Sequence, residues 1–376
     1  MRRTARRTSV AWLLVVLLAG GAPTQEPSDG AKGSWREARR GYRFRFPRDH
    51  AAHPEYRIEW WYYTGNLETA AGRRFGYQLT FFRSGIVREP KIPSRWALRD
   101  LHLAHFAVSD LEAEKFHAFE RTNRSGIGWA GAREDSYRVW NEDWEVRLAG
   151  KKHVLRAKQG DVSIALELTP LKPPAVHGKD GISRKGSAPG NASHYYSITR
   201  LETAGTLRVG GTAHRVTGLS WMDHEFGTSF LEEEQVGWDW FSVQLEDGRD
   251  VMLFQMRRRD GSRDSHSSGT LVDRAGRAHP LPPGSFRLEP GRRWRSPASR
   301  ADYPIRWTLS LPAHGLELEV EAAFPAQELR TPRSTGVTYW EGSVRVRGRD
   351  RGQPVAGRGY LEMTGYAGKS LSELFR

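Results

Sequence analysis

The chain of 376 residues contains no cysteine, which excludes disulfide staples, thiolate nucleophiles, thiolate metal sites and a lipid-modified N-terminal Cys. No apolar run beyond residue 22 is long enough to cross a bilayer as a helix. The G-x-S-x-G nucleophile elbow is missing too, so a serine hydrolase would need a different arrangement. Helical periodicity is scarce: only Leu111 to Phe119 and Lys369 to Phe375 suggest a helix. Acidic residues are in deficit, 44 Asp+Glu against 58 Lys+Arg, for a formal charge of +14. That excess forms no stripe; its densest clusters, Arg257-Arg258-Arg259 and Arg292-Arg293, sit in turn-like sequence. Nucleic acid is therefore not an expected partner, whereas peripheral contact with anionic envelope lipids suits a diffusely basic surface.

Indole is what the chain has in excess, with 14 Trp. So much of it needs aromatic cores, apolar ligand walls or cation-stabilising faces. At the N-terminus, Arg2-Arg3 and Arg6-Arg7 precede the apolar run Val10–Leu18 and the small residues Ala19 to Ala22. This is the layout of a secretory signal over residues 1–22, by the Sec or the Tat route, and it predicts an exported protein, periplasmic or secreted. Its removal takes four Arg and no acid, lowering the formal charge from +14 to +10. Residues 23–41 are rich in Pro, Gly, Ser and charge and read as a flexible linker.

Thereafter the period is two. Trp144, Val146 and Leu148, then Val162 to Leu168, Leu316 to Val320 and Val344 with Val346 alternate with polar residues, the pattern of half-buried antiparallel strands. Glycine-bearing turns such as Thr69 to Gly72 and Glu246 to Gly248 separate them. Pro170 to Gly190 reads as a long loop, either a flexible lid or an unstructured insertion. An aromatic hairpin occurs twice: Trp60-Trp61-Tyr62-Tyr63 onward to Arg83-Ser84-Gly85, and Trp238-Asp239-Trp240-Phe241 onward to Arg259-Asp260-Gly261. Trp60 and Tyr62 share one face, as do Trp238 and Trp240, and each pair suits the plugged base of an up-and-down barrel. The predicted architecture is all-β: two tandem lipocalin-like antiparallel barrels, over residues 42–229 and 230–376, with few short helices.

Polar chemistry concentrates in Trp221-Met222-Asp223-His224-Glu225. In an extended chain Trp221, Asp223 and Glu225 share a face and His224 takes the other. A carboxyl beside indole has its pKa raised by desolvation and becomes a proton donor near neutral pH. His194 and Tyr196 share a strand face upstream and could supply a base and a further aromatic face. Other motifs are weaker. Gly126-Ile127-Gly128-Trp129-Ala130-Gly131 matches a dinucleotide fingerprint without strand–turn–helix context; His102 and His105 fall on opposite strand faces; and His224 with Asp223 and Glu225 has ligand types for zinc, though no metal is expected.

Several segments together are similar to the AttH and carotenoid 1,2-hydratase family of lipocalin-like, predicted secreted hydrolases: Glu59 to Leu67, Asp100 to Ala107, His194-Tyr195-Tyr196, Gly218 to Gly227, Gly237 to Phe241, and Tyr339-Trp340-Glu341-Gly342 with Gly359 to Tyr366. The resemblance implies two lipocalin-like barrels and an elongated apolar ligand, a lipid or isoprenoid. It also implies water addition to an isoprenoid double bond without a cofactor. Under it Asp223 is the acid, Trp221, Tyr196 and Trp340 flank the carbocation, and His194 positions or deprotonates water. Trp60, Trp61, His224, Glu225, Trp238, Asp239, Trp240 and Trp340 are the ligand-binding candidates. The resemblance equally allows a non-catalytic lipid carrier, or an accessory protein of an ABC-type envelope transporter.

Overall fold

The computed structural model describes residues 34–368 apart from 93 and 230; the expected signal segment and the suggested helix at Lys369 to Phe375 lie outside the described residues. The architecture is all-β, with two 3-10 turns as the helical elements among the described residues. A 13-stranded antiparallel sheet holds the strands from Ile58–Glu68 to Thr212–Ser229, and a 10-stranded sheet holds those from Gln235–Leu245 to Gln353–Met363 except Arg293–Arg295 and Asp302–Pro304, which form a two-stranded sheet of their own. Each sheet has its first strand hydrogen-bonded to its last, Ile58–Glu68 to Thr212–Ser229 and Gln235–Leu245 to Gln353–Met363. The edge strand Lys115–Arg124 of the first sheet reaches Arg138–Asn141, next to the opposite edge, through side chains: Arg121 donates to the Asn141 carbonyl at 3.0 Å and Asn123 to Asn141 Oδ1 at 2.7 Å. Each sheet wraps its own apolar core, one around Trp61, Tyr63, Phe106 and Trp144, the other around Phe241, Trp307 and Trp340.

The repeated aromatic hairpins are both present, Ile58–Glu68 with Arg74–Gly85 and Gln235–Leu245 with Asp250–Arg258. Their faces are the reverse of the sequence expectation. Trp61 and Tyr63 fill the first barrel, while Trp60 and Tyr62 point outward and meet Trp238 and Trp240 of the second barrel in a third cluster, with Tyr195, Trp221, Phe254 and Met256. The physical reason lies in the unbroken run Trp60 to Tyr63. A strand buried on both faces needs apolar groups at every position, and this one is covered inside by its barrel and outside by the other. Polar bridges reinforce the seam: Asn66 Nδ2 donates to the Gly359 carbonyl at 3.1 Å, and buried Asp250 pairs with Lys172 at 2.6 Å and Arg200 at 2.7 Å.

Three segments differ from expectation. Leu111 to Phe119 is a turn followed by the strand Lys115–Arg124, because cross-strand pairing such as Phe106 with Phe119 overrides its helix-favouring composition. Residues 34–41 of the expected linker pack on the first barrel: the Trp35 ring lies where a Cβ on Gly85 would be 2.2 Å away, and Ala38 is buried. Pro170 to Gly190 is neither unstructured nor detached. Val162–Pro170 pairs with Ala192–Val209 only from Leu201 onward, and Ala175–Val176 and Ser183–Arg184 pair with the half before it. That arrangement carries His177 and Lys185 to the seam.

Candidate functional site

The outer faces of the two barrels enclose a cavity of about 250 Å³. Its apolar walls include Trp60, Phe82, Leu103, Trp238, Trp240, Phe254 and Met256. Strand register sets the polar groups among them. Asp223 lies opposite Ser197 on one side and Tyr62 on the other, and Tyr62 lies opposite Thr80; these residues therefore project from the same face of the first barrel. From the second barrel, Glu362 stands between Trp240 and Glu341 and faces the same space.

Asp223 is 4 % exposed and carries three hydrogen bonds. Trp221 Nε1 donates to Oδ1 at 2.6 Å, Tyr195 OH to Oδ2 at 2.6 Å, and Ser197 Oγ to Oδ1. Burial is the largest influence and pushes its pKa up; the three donors restrain the rise, which ends at about 7. A second layer aligns the donors. His177, from the segment over the strand, binds Ser197 Oγ through Nε2 at 2.6 Å and Thr270 of the second barrel through Nδ1 at 2.8 Å. Burial, aided by the Lys185 charge, drops the His177 pKa to about 3, so its ring is neutral. Trp240 Nε1 donates to Tyr195 OH at 3.1 Å. Beside Asp223, Glu225 is paired with Lys185 at 2.9 Å, and the Lys185 ammonium sits 4.2 Å from the Phe254 ring centre and 5.0 Å from that of Tyr195.

The carboxyls of the second barrel behave differently. Burial raises Glu362 to about 8 against a restraining hydrogen bond from Trp238, and burial with the neighbouring Glu362 charge raises Glu341 well above the carboxylate range. Tyr62 OH donates to Glu341 Oε1 at 2.5 Å. Burial thus lifts all three carboxyls above the ordinary carboxylate range, and Asp223, at about 7, is the one held by three hydrogen-bond donors.

The structure divides the sequence candidates. Asp223, Glu225, Trp60, Trp238 and Trp240 line the cavity. Trp221 stands behind Asp223 as its donor and packs edge-on to Trp240 at 6.2 Å. The remaining candidates fall on the other strand faces and do not reach it, because side chains alternate. His194 bonds the Gly181 carbonyl and stacks on Tyr42, Tyr196 shares hydrogen bonds with His50 and His224, Trp61 and Trp340 fill the two barrel cores, and Asp239 pairs with Arg257 at 3.1 Å. Tyr62, His177, Lys185, Tyr195, Ser197, Glu341 and Glu362 belong to the site and were not among the candidates. For the two glutamates and Tyr62, the signal available was their place in the aromatic motifs that carried the resemblance.

Inside the first barrel, His53, Glu59 and His224 bring three ligand-type atoms within 4.8 Å of one another, a spacing a metal ion could use. Glu59 there already accepts from His53 Nδ1 and His224 Nε2 at 2.8 Å each and from Arg83 at 3.2 Å. Against the effect of burial, the histidine hydrogen bonds and the His53 and Arg83 charges hold it well below the usual carboxylate range. With Arg83 occupying its second oxygen, the group is a carboxylate satisfied by N–H donors. Of the dinucleotide-like glycines, Gly126 and Gly128 lie at positive φ in an irregular link and Gly131 lies in the short strand Ala130–Ala132, with no helix after them.

Residues 37–366 match the family model described as AttH-like. A crystal structure of a putative AttH from Nitrosomonas europaea is similar at 35% identity and TM-score 0.79, covering 87% of this chain and 98% of that one. Kievitone hydratase from Nectria haematococca shares the fold at 14% identity and TM-score 0.67, covering 89% of this chain and 96% of its own; CghA does so at 13% identity and TM-score 0.54, covering 83% and 88%. No curated protein matches the sequence. With the family model spanning nearly all of the described residues and a solved relative matched over almost its whole length, the chain belongs to the AttH-like family.

Proposed function

We propose that this protein binds an elongated, uncharged apolar ligand in the seam between its barrels and adds water to, or removes water from, a carbon–carbon double bond of that ligand, with Asp223 as the acid. The observation carrying this reading is the state of Asp223, a buried carboxyl facing an aromatic cavity with a pKa of about 7. Such a group is protonated often enough to donate, and its carboxylate is stabilised afterwards by Trp221, Tyr195 and Ser197. In the hydration direction the Asp223 proton passes to one alkene carbon and the other becomes a carbocation. Water bonds to that carbon, and the proton it sheds restores Asp223. Trp60, Tyr62 and Trp240 offer π faces to the cation, and no unpaired carboxylate there would trap it, since Glu225 is held by Lys185. The likeness to kievitone hydratase supports the same chemistry. The N-terminal signal expected from the sequence would place the activity outside the cytoplasm, where lipid or isoprenoid ligands and a peripheral envelope position fit its basic surface.

Deuterium exchange tests this without knowledge of the natural substrate. In D2O the protein should introduce deuterium into the terminal alkene of an isoprenoid such as myrcene, detected by mass spectrometry, and Asp223→Asn should abolish the exchange. Exchange that survives in Asp223→Asn refutes the assignment. Binding without exchange in the wild-type protein supports instead a lipid carrier whose indoles are only a ligand wall.

A further inference from the structure

The cavity lining carries polar atoms that their own surroundings leave unsatisfied. Glu341 is fully buried and lines the cavity; its Oε1 accepts from Tyr62 OH, while Oε2 has no hydrogen-bond partner. Gln78 is fully buried and lines the same cavity; its Nε2 donates to Thr80 Oγ1, and its Oε1 has no partner. A buried polar atom left without a partner loses its hydration with nothing in exchange, so such atoms invite a ligand group. Register ties the two together: Gln78 lies opposite Thr64 on the strand of Tyr62, the residue whose hydroxyl holds Glu341. Since Tyr62 donates to Oε1 and Glu341 is neutral, the Glu341 proton resides on Oε2, a donor without an acceptor, and Gln78 Oε1 is an acceptor without a donor.

We infer that Glu341 of the second barrel and Gln78 of the first form an oxygen-recognition station for a hydroxyl group of the ligand in the seam cavity. A hydroxyl carries both functions these atoms call for, an oxygen to accept from Glu341 Oε2–H and a proton to donate to Gln78 Oε1. A charged group is disfavoured, because the fixed charges lining the cavity are already paired, Lys185 with Glu225 and Arg83 with Glu59 and Asp100. The ligand class is thus a neutral apolar skeleton bearing an alcohol apart from the carbon that meets Asp223. This rests on the seam being the ligand site, as proposed above, but not on catalysis at Asp223.

Calorimetric titration of the full protein with geraniol, myrcene and geranate, a ten-carbon alcohol, hydrocarbon and carboxylate of one skeleton, tests it. Geraniol should bind about tenfold more tightly than myrcene, the gain of a hydrogen bond made to buried partners, and geranate most weakly. Glu341→Gln keeps a donor at this position and should retain the preference; Glu341→Leu and, independently, Gln78→Leu should bring the geraniol-to-myrcene affinity ratio to about one. Circular dichroism and a cooperative thermal melt establish that these variants are folded. Equal affinity for geraniol and myrcene, or a preference that survives both leucine variants, overturns the station while the seam stands. Failure of the wild-type protein to bind any of the three overturns the seam as well.

Discussion

Replacing Asp223 by Asn should invert the pH dependence of relative stability. The native carboxyl titrates at about 7, against an ordinary value of 3.8. Between those values the folded protein keeps a proton that the unfolded chain has released, so its stability falls as pH rises and the loss is complete above about pH 7. A shift of about three pH units corresponds to roughly 4 kcal/mol at 1.36 kcal/mol per unit. Asparagine does not titrate, so the variant escapes this loss. It carries instead a fixed deficit of about 1–3 kcal/mol, because the amide nitrogen cannot accept the hydrogen bond that a carboxylate oxygen accepts. Urea denaturation of both proteins at about pH 5 and about pH 8.5 measures the difference; in the variant, loss of the Asp223 charge also eases the rise of Glu362, which acts in the same direction. The variant should be the less stable at the lower pH and gain about 2–4 kcal/mol relative to the wild type at the higher. A difference independent of pH would refute the assignment of a burial-raised carboxyl at this position.

Removing Lys185 by substitution with Met strands the buried Glu225 carboxylate, and should cost about 3–5 kcal/mol by thermal or urea melting, largely recovered in the double variant with Glu225→Gln. Trp61→Ala empties part of the first barrel's core and should cost about 3–5 kcal/mol. Trp238→Ala, on the half-exposed cavity rim, should cost less than Trp61→Ala in melting experiments yet weaken ligand binding more in titrations. Gly218→Ala places a Cβ 2.1 Å from the Asn66 carbonyl oxygen on the neighbouring strand; it should destabilise the first barrel by about 1–3 kcal/mol or more and lower its melting midpoint.

The barrels were legible because period-two alternation reports one buried face. Segments such as Val162 to Leu168 and Leu316 to Val320 alternate because one side meets a core and the other meets solvent, and they are strands as expected. The seam was harder to read. Trp60 to Tyr63 carries aromatics at every position, and only a second covering layer outside the barrel explains that; assigned to one barrel alone, the outward pair was misplaced as a plug. The same alternation that put Asp223, Glu225 and Trp221 on one face was read correctly, while nothing local showed that His194 and Tyr196 take the opposite face relative to Asp223, since that depends on the cross-strand register pairing Tyr196 with His224 and Ser197 with Asp223. His177 and Lys185 could not be found by pattern at all. They arrive from a Pro- and Gly-rich segment whose course is set by short pairings with the strand Ala192–Val209.

Occupancy of the seam is the most direct test of the whole account. The protein and its Thr80→Trp variant, whose indole would fill the space beside Tyr62 and Asp223, should be purified from the natural host and their apolar extracts compared by mass spectrometry. The wild-type extract should hold a neutral, hydroxyl-bearing apolar molecule that the correctly folded variant lacks. An empty wild-type extract, or the same molecule retained by the variant, would contradict a ligand site between the barrels.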